Sequence, residues 1–223
     1  MPSEIAAHCA MMTDELKPPA EGARADAALT RLVERAAAGD AAAFEQLLIA
    51  TERRVVSVAW RMLGDREDAR DAAQEVFLRV YKYLPGFRMG EDFHGWLYRI
   101  TVNVCRDAAR RRGRARHEDL ESLFSNESGH LKGMPSAAGR APDIAEVEAL
   151  RGQQRALLRH ALLTLPEKER AAIVLRDIEG LSTEEVARIL HTRPVTVRSQ
   201  ISSARQKLKT ICDGWLRKGG RNV

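Results

Sequence analysis

Aromatic residues and cysteines are scarce in this chain, and no stretch approaches the roughly 18 apolar residues that a membrane span requires. The N-terminus, MPSEIAAHCAMMTDELKPPAEG, lacks a basic start followed by a long apolar run, so no secretory signal is expected and the protein is expected to be cytoplasmic. Its three cysteines, Cys9, Cys105 and Cys212, are odd in number and far apart. That argues against a disulfide framework and for a reducing compartment. Nothing around His8 and Cys9 has the spacing of a CxxC or HxxxC site, so no metal is expected. These two residues are expected to lie in a disordered leader, with a sensory use of the pair as the alternative. Catalytic signatures are missing as well. There is no GxxxxGK[ST], no HExxH and no GxSxG, and acidic pairs such as Asp68 with Asp71 or Glu184 with Glu185 read as helix-start and surface charges. No enzyme and no cofactor is expected.

What is present is charge, unevenly spread, on helical periodicity. The 223 residues carry a formal charge of +5. Blocks 24–117 and 147–209 are each basic, at about +5, and the stretch 118–146 between them is acidic, at about −4. Two basic blocks around an acidic connector suggest two modules with a common anionic partner. Apolar spacing of three and four residues predicts helices broken at Gly39-Asp40, at Leu63-Gly64-Asp65 and at Leu84-Pro85-Gly86, then a further helix from about Trp96 to Arg112. Residues 118–143 mix Gly, Ser, Pro and acids with few apolar residues and read as a flexible linker. Beyond it, helices are expected at about 144–163, 167–178, 182–190 and 194–210. Pro166 is placed at a first helical position, and Ser182 with Glu185 as a capping box. The fold class is therefore all-α: two small helical domains joined by a linker, the second a four-helix helix-turn-helix domain. The boundaries are a leader at 1–23, a first domain at 24–117, the linker at 118–143, a second domain at 144–212 and a tail at 213–223.

Two features carry chemistry. Seven of the 11 aromatic residues fall between Phe77 and Tyr98, directly before the basic run YRITVNVCRDAARRRGRAR. Arginines that neutralise phosphates beside rings that can stack unpaired bases are what single-stranded nucleic acid binding needs. The second is TVRSQISSARQKLK at 196–209, where Val197, Ile201, Ala204 and Leu208 share one helical face and polar residues occupy the other. As the second helix of a helix-turn-helix, its N-terminal half would meet base edges in the major groove.

With those residues in view, the stretch from Asp68 through Gln74-Glu75-Val76-Phe77 to LPGF resembles region 2 of bacterial sigma factors of the extracytoplasmic-function group. FHGWLYRITVNVCRDAARRR resembles that family's promoter-melting helix. LPEKERAAIVLRDIEGLSTEEVARIL with HTRPVTVRSQISSARQKL resembles its region 4. The resemblance implies that Asp71, Gln74, Glu75 and Phe77 dock on the β′ clamp of core RNA polymerase. It implies that the loop from Phe87 to His94, with Arg88 and Phe93, captures a base flipped from the minus-ten element, and that Trp96, Arg99, Asn103, Arg106, Arg110 and Arg111 meet melting DNA. Thr196, Arg198, Ser199, Gln200, Ser202, Ser203 and Arg205 would read the minus-thirty-five element, with Arg198 and Arg205 foremost. The acidic linker would thread through core polymerase, and an anti-sigma factor would hold the protein inactive without any insertion in the membrane.

The sequence departs from the family pattern where Val195 replaces a common Gly and where Gln200, Ser202 and Ser203 replace Arg or bulky residues. Two other readings stand beside the sigma factor: a polymerase-independent helix-turn-helix regulator, and a sigma-mimicking adaptor. The aromatic loop and Arg-rich helix are superfluous to the first; the two basic blocks are superfluous to the second.

Overall fold

A computed structural model describes residues 22–122 and 157–219, and side chains within 27–112 and 157–214. The expectations for the leader, for most of the linker, for the start of the helix at 144–163 and for the end of the tail lie outside the described residues. Among those described, all regular structure is helical. Helices α1 (Gly22–Ala37), α2 (Ala41–Leu63), α3 (Arg66–Tyr83) and α4 (Phe93–Ser122) form an N-terminal group. A helical segment at 157–164 leads into α5 (Glu167–Ile173), a π-helical turn (Val174–Ile178), α6 (Thr183–Ile189) and α7 (Pro194–Gly219).

The breaks fall where local chemistry puts them. Asp40 caps α2 by accepting from the Ala43 amide at 3.0 Å. Gly64 ends α2 at φ 78°, in the left-handed region that favours glycine, and Asp65 caps α3 through the amides of Glu67 and Asp68. The Ser182–Glu185 capping box is reciprocal: the Ser182 amide donates to Glu185 Oε2 at 2.6 Å and the Glu185 amide to Ser182 Oγ at 3.2 Å. The turn between α6 and α7 is closed by His191 at φ 50°, a conformation histidine tolerates better than branched residues do.

Three boundaries differ from expectation. Helix α4 starts at Phe93 and runs to Ser122, so the first five linker residues are helical. Pro166 is the N-cap of α5, at ψ 143°, and not its first helical residue. The helix expected over 167–178 becomes π-helical at Val174, where the Glu179 amide bonds back to the Val174 carbonyl at 3.0 Å. Such wide turns relax a helix end and often mark functional positions. Here the turn delivers Glu179 to the N-terminal group.

The apolar stripes of α2, α3 and α4 meet around Leu47, Val55, Val58, Val76, Leu97 and Val102, and those of α5, α6 and α7 around Leu175, Val186, Val197 and Ala204. Burying one such side chain stabilises the fold by roughly 1.5–3 kcal/mol. The two groups touch along one seam. Gly64 faces Leu163 so closely that a Cβ there would lie 2.2 Å from Leu163 Cδ1. Arg170 donates to the carbonyls of Met62, Leu163 and Leu165 at 2.6, 2.8 and 2.9 Å, stitching the end of α2 to the turn before α5. Burial holds the Arg170 guanidinium below its ordinary pKa.

Candidate nucleic-acid interface

On α3, Ala69, Ala72, Ala73, Val76 and Val80 face the core. The opposite face carries Asp71, Gln74, Leu78 and Tyr81, all exposed, with Leu78 and Tyr81 left 65% and 67% accessible. Phe77 is half-buried on the flank, and Glu75 spends its carboxylate on Arg79 at 2.7 Å. Tyr81 is steadied by an edge contact with Phe44, the ring centres 5.1 Å apart. The sequence reading named Asp71, Gln74, Glu75 and Phe77 but missed Leu78 and Tyr81. Their signal was available: two large apolar residues at positions where the helical period calls for polar ones.

The loop after α3 is pinned from below. Phe87, Phe93 and Trp96 form a cluster with centroid separations of 5.2–5.7 Å, and Phe87 and Phe93 are buried. Above them Arg88, Met89, Gly90, Glu91 and Asp92 are exposed. The rings of Phe87 and Phe93 thus brace the loop, while its polar tip faces solvent. Along α4, Arg99, Asn103, Arg106 and Arg110 recur at i, i+4, i+7 and i+11 and so share one face. Asn103 and Arg110 are exposed, as is the neighbouring Arg111. Arg99 and Arg106 are half-buried because the C-terminal group covers them. Arg99 Nη2 donates to the Arg188 carbonyl at 3.5 Å, and Arg106 Nε lies 2.9 Å from Glu167 Oε1, an ion pair without hydrogen-bond alignment.

At the same seam, Arg61 faces Glu179 at 3.4 Å, with only 10% and 8% of their side chains accessible. Arg61 also donates to Ser57, and the Tyr98 hydroxyl donates to Glu179 Oε2 at 2.7 Å. Burial holds the Arg61 guanidinium below its ordinary pKa, with the Glu179 charge acting against that shift. Burial, then the Glu179 charge, pushes the Tyr98 phenol well above its ordinary value.

The residues expected on one reading surface of α7 divide. Thr196, Arg198, Ser199 and Ser202 are exposed, as is Val195, which was not among those expected. Arg205 instead turns back to Asp177, donating through Nε and Nη2 at 2.8 and 2.6 Å. Ser203 donates to Glu169 at 3.1 Å, and Gln200 is half-buried. Arg198 keeps a loose 3.4 Å contact with Glu184, both side chains 62% accessible, a pair worth little in water. Periodicity placed these residues on a polar face but does not register the acidic partners that α5 and the π turn bring to its flanks.

Among the described residues no cluster of His, Cys, Asp or Glu fit to hold a metal occurs, and no helix is long and apolar enough to cross a membrane.

Comparison with known proteins places this geometry. Residues 47–115 match the Sigma-70 region 2 family and residues 155–208 the Sigma-70 region 4 family. The chain is 33% identical over 187 residues to the RNA polymerase sigma-H factor of Pseudomonas aeruginosa, covering 84% of this chain and 95% of that one. It is 38% identical over 176 residues to the ECF RNA polymerase sigma factor SigE of Mycolicibacterium smegmatis, covering 78% of this chain but 64% of the relative. Among solved structures it superposes on the sigma factor RpoE of Bartonella quintana, determined with the anti-sigma factor NepR. The TM-score is 0.57 at 24% identity, over 76% of this chain and 96% of that one, which shows the fold. Two sigma-70 regions in order, in a chain that spans nearly the whole of a curated relative, lead to one conclusion: the protein belongs to the extracytoplasmic-function family of RNA polymerase sigma factors.

Proposed function

We propose that the α3 stripe of Asp71, Gln74, Leu78 and Tyr81 is the face this sigma factor presents to the β′ clamp of core RNA polymerase. The observation that carries this is exposure: two large apolar residues more than half accessible, on a helix whose other face is fully packed. A helix-turn-helix regulator acting alone has no use for such a stripe. The N-terminal group, over about 24–117, then opens the minus-ten element. The exposed loop at Arg88–Asp92, braced by Phe87, Phe93 and Trp96, receives an unstacked base, Arg99, Arg106, Arg110 and Arg111 neutralise the strand, and Asn103 offers it a hydrogen-bonding carboxamide. The C-terminal group, over about 144–212, reads the minus-thirty-five element as duplex through the first half of α7. RpoE of B. quintana is bound by an anti-sigma factor; we assign this protein the same kind of partner and a cytoplasmic place of action.

Binding to purified core polymerase tests the assignment. Gln74→Ala with Leu78→Ala should weaken core association at least tenfold without loss of helix content. Unchanged affinity would remove α3 from the polymerase interface.

A further inference from the structure

Within α7, the residues directly opposite the buried Val197, Ile201 and Ala204 and the half-buried Leu208 are Val195, Ser199, Ser202 and Gln206, spaced i, i+4, i+7 and i+11. This ridge is what a major groove meets first. It bears no cation. Of the flanking cations, Arg205 pairs with Asp177 and Lys207 with Glu169 at 2.7 Å, Arg198 keeps its loose contact with Glu184, and Lys209 is exposed. At the leading end stands Val195, 70% exposed, the second residue of the helix. An apolar side chain there gains nothing from solvent, and none of the described residues covers it. Major-groove chemistry offers one apolar partner, the C5-methyl of thymine.

We infer that Val195 is a specificity-determining residue of the minus-thirty-five reading, packing on the C5-methyl of one thymine, so that the element is selected there by methyl contact and not by an arginine on guanine. The inference rests on the proposed reading of α7 as the minus-thirty-five helix. Ser199 and Ser202, short and able to donate or accept, make the ridge shallow enough for the helix to approach the base edges closely. Gln206, further along the ridge, has the carboxamide that pairs with adenine. A ridge of valine, two hydroxyls and one carboxamide suits an A·T-directed contact.

Holoenzyme assembled from core polymerase and the full chain would first select minus-thirty-five sequences from a randomised duplex library. Each thymine of the selected element is then replaced, one at a time, by deoxyuridine, which keeps base pairing and removes only the methyl. For the natural chain, one thymine should show about a fourfold loss of promoter binding, the effect of one buried carbon. In Val195→Ser that sensitivity should vanish, and in Val195→Ile it should persist; both substitutions are at an exposed position and leave the core untouched. Selection of an element without thymine, indifference to every deoxyuridine, or equal sensitivity in Val195→Ser would each overturn the inference while leaving the sigma factor reading in place. Failure to bind or transcribe any promoter would overturn both.

Discussion

Glu179 holds Tyr98 and Arg61 together across the seam, accepting the phenol proton at 2.7 Å and lying 3.4 Å from the guanidinium. Removing one member of a buried ion pair costs roughly 3–5 kcal/mol, because the remaining charge stays desolvated. Here the loss is capped, since parting the two helical groups would rehydrate Arg61. Glu179→Gln is therefore expected to open the chain and not to unfold it. Small-angle scattering should show a larger radius of gyration, with faster amide exchange in the N-terminal group confined to the C-terminal end of α2 and to residues 98–106 of α4. An unchanged radius and exchange pattern would show that the seam does not depend on this pair.

The phenol itself gives a second check. The chain has three tyrosines, of which Tyr81 and Tyr83 are exposed and Tyr98 is buried. Because burial and Glu179 raise the Tyr98 pKa in the folded state, the stability this group contributes is fully present below the unfolded value near 10. It is lost as pH climbs above that value. Ultraviolet titration of the folded protein should show one tyrosinate whose formation is delayed until the structure opens. Tyr98→Phe should abolish the delayed step; a natural chain with no delayed step would refute the burial.

Arg99 and Arg106 cannot serve the C-terminal group and the proposed DNA strand at the same time. Both lie on the α4 face assigned to the minus-ten strand, and both are engaged by the C-terminal group. A strand that neutralised them would have to displace α6 and Glu167, so the closed chain should bind single-stranded minus-ten DNA poorly. Fluorescence anisotropy with a labelled oligonucleotide should show Glu179→Gln binding at least fivefold more tightly than the natural chain. Equal affinities would mean that closure and strand binding do not compete.

At the capping box the prediction concerns acid. Hydrogen bonding with Ser182 holds the Glu185 carboxyl below its ordinary value of 4.5. A depressed carboxylate contributes stability that is present above that value and lost as pH falls through the lower folded one. Ser182→Ala should cost about 1 kcal/mol near neutral pH. In denaturant melts, the gap between variant and natural chain should narrow below about pH 4.5. A gap independent of pH would show that the hydroxyl, and not its coupling to Glu185, carries the cap.

What was legible in the sequence was local. Asp40, Gly64, Asp65 and the Ser182–Glu185 box act within a few residues of themselves, and the structure uses each as the pattern foretold. The apolar periodicity likewise put Val197, Ile201 and Ala204 inside α7. What was not legible depends on distant partners. Glu179 is 81 residues from Tyr98 and 118 from Arg61, a separation no periodic pattern can bridge. Arg205, expected at the DNA from the family resemblance, is bonded in the free chain to Asp177 on the π turn, a partner that the periodicity of its own helix does not register. Phe87 and Phe93, named for the minus-ten loop, pack on each other and on Trp96, a mutual contact that the sequence spacing did not specify.

The central claim is that this chain confers promoter choice on core RNA polymerase through separate polymerase and DNA faces. Run-off transcription tests it most directly, with purified core polymerase and fragments of the source genome, in the presence and absence of the chain. Discrete transcripts should appear only with the chain and disappear when Gln74 and Leu78 are both replaced by alanine. Absence of chain-dependent initiation on every fragment would contradict it.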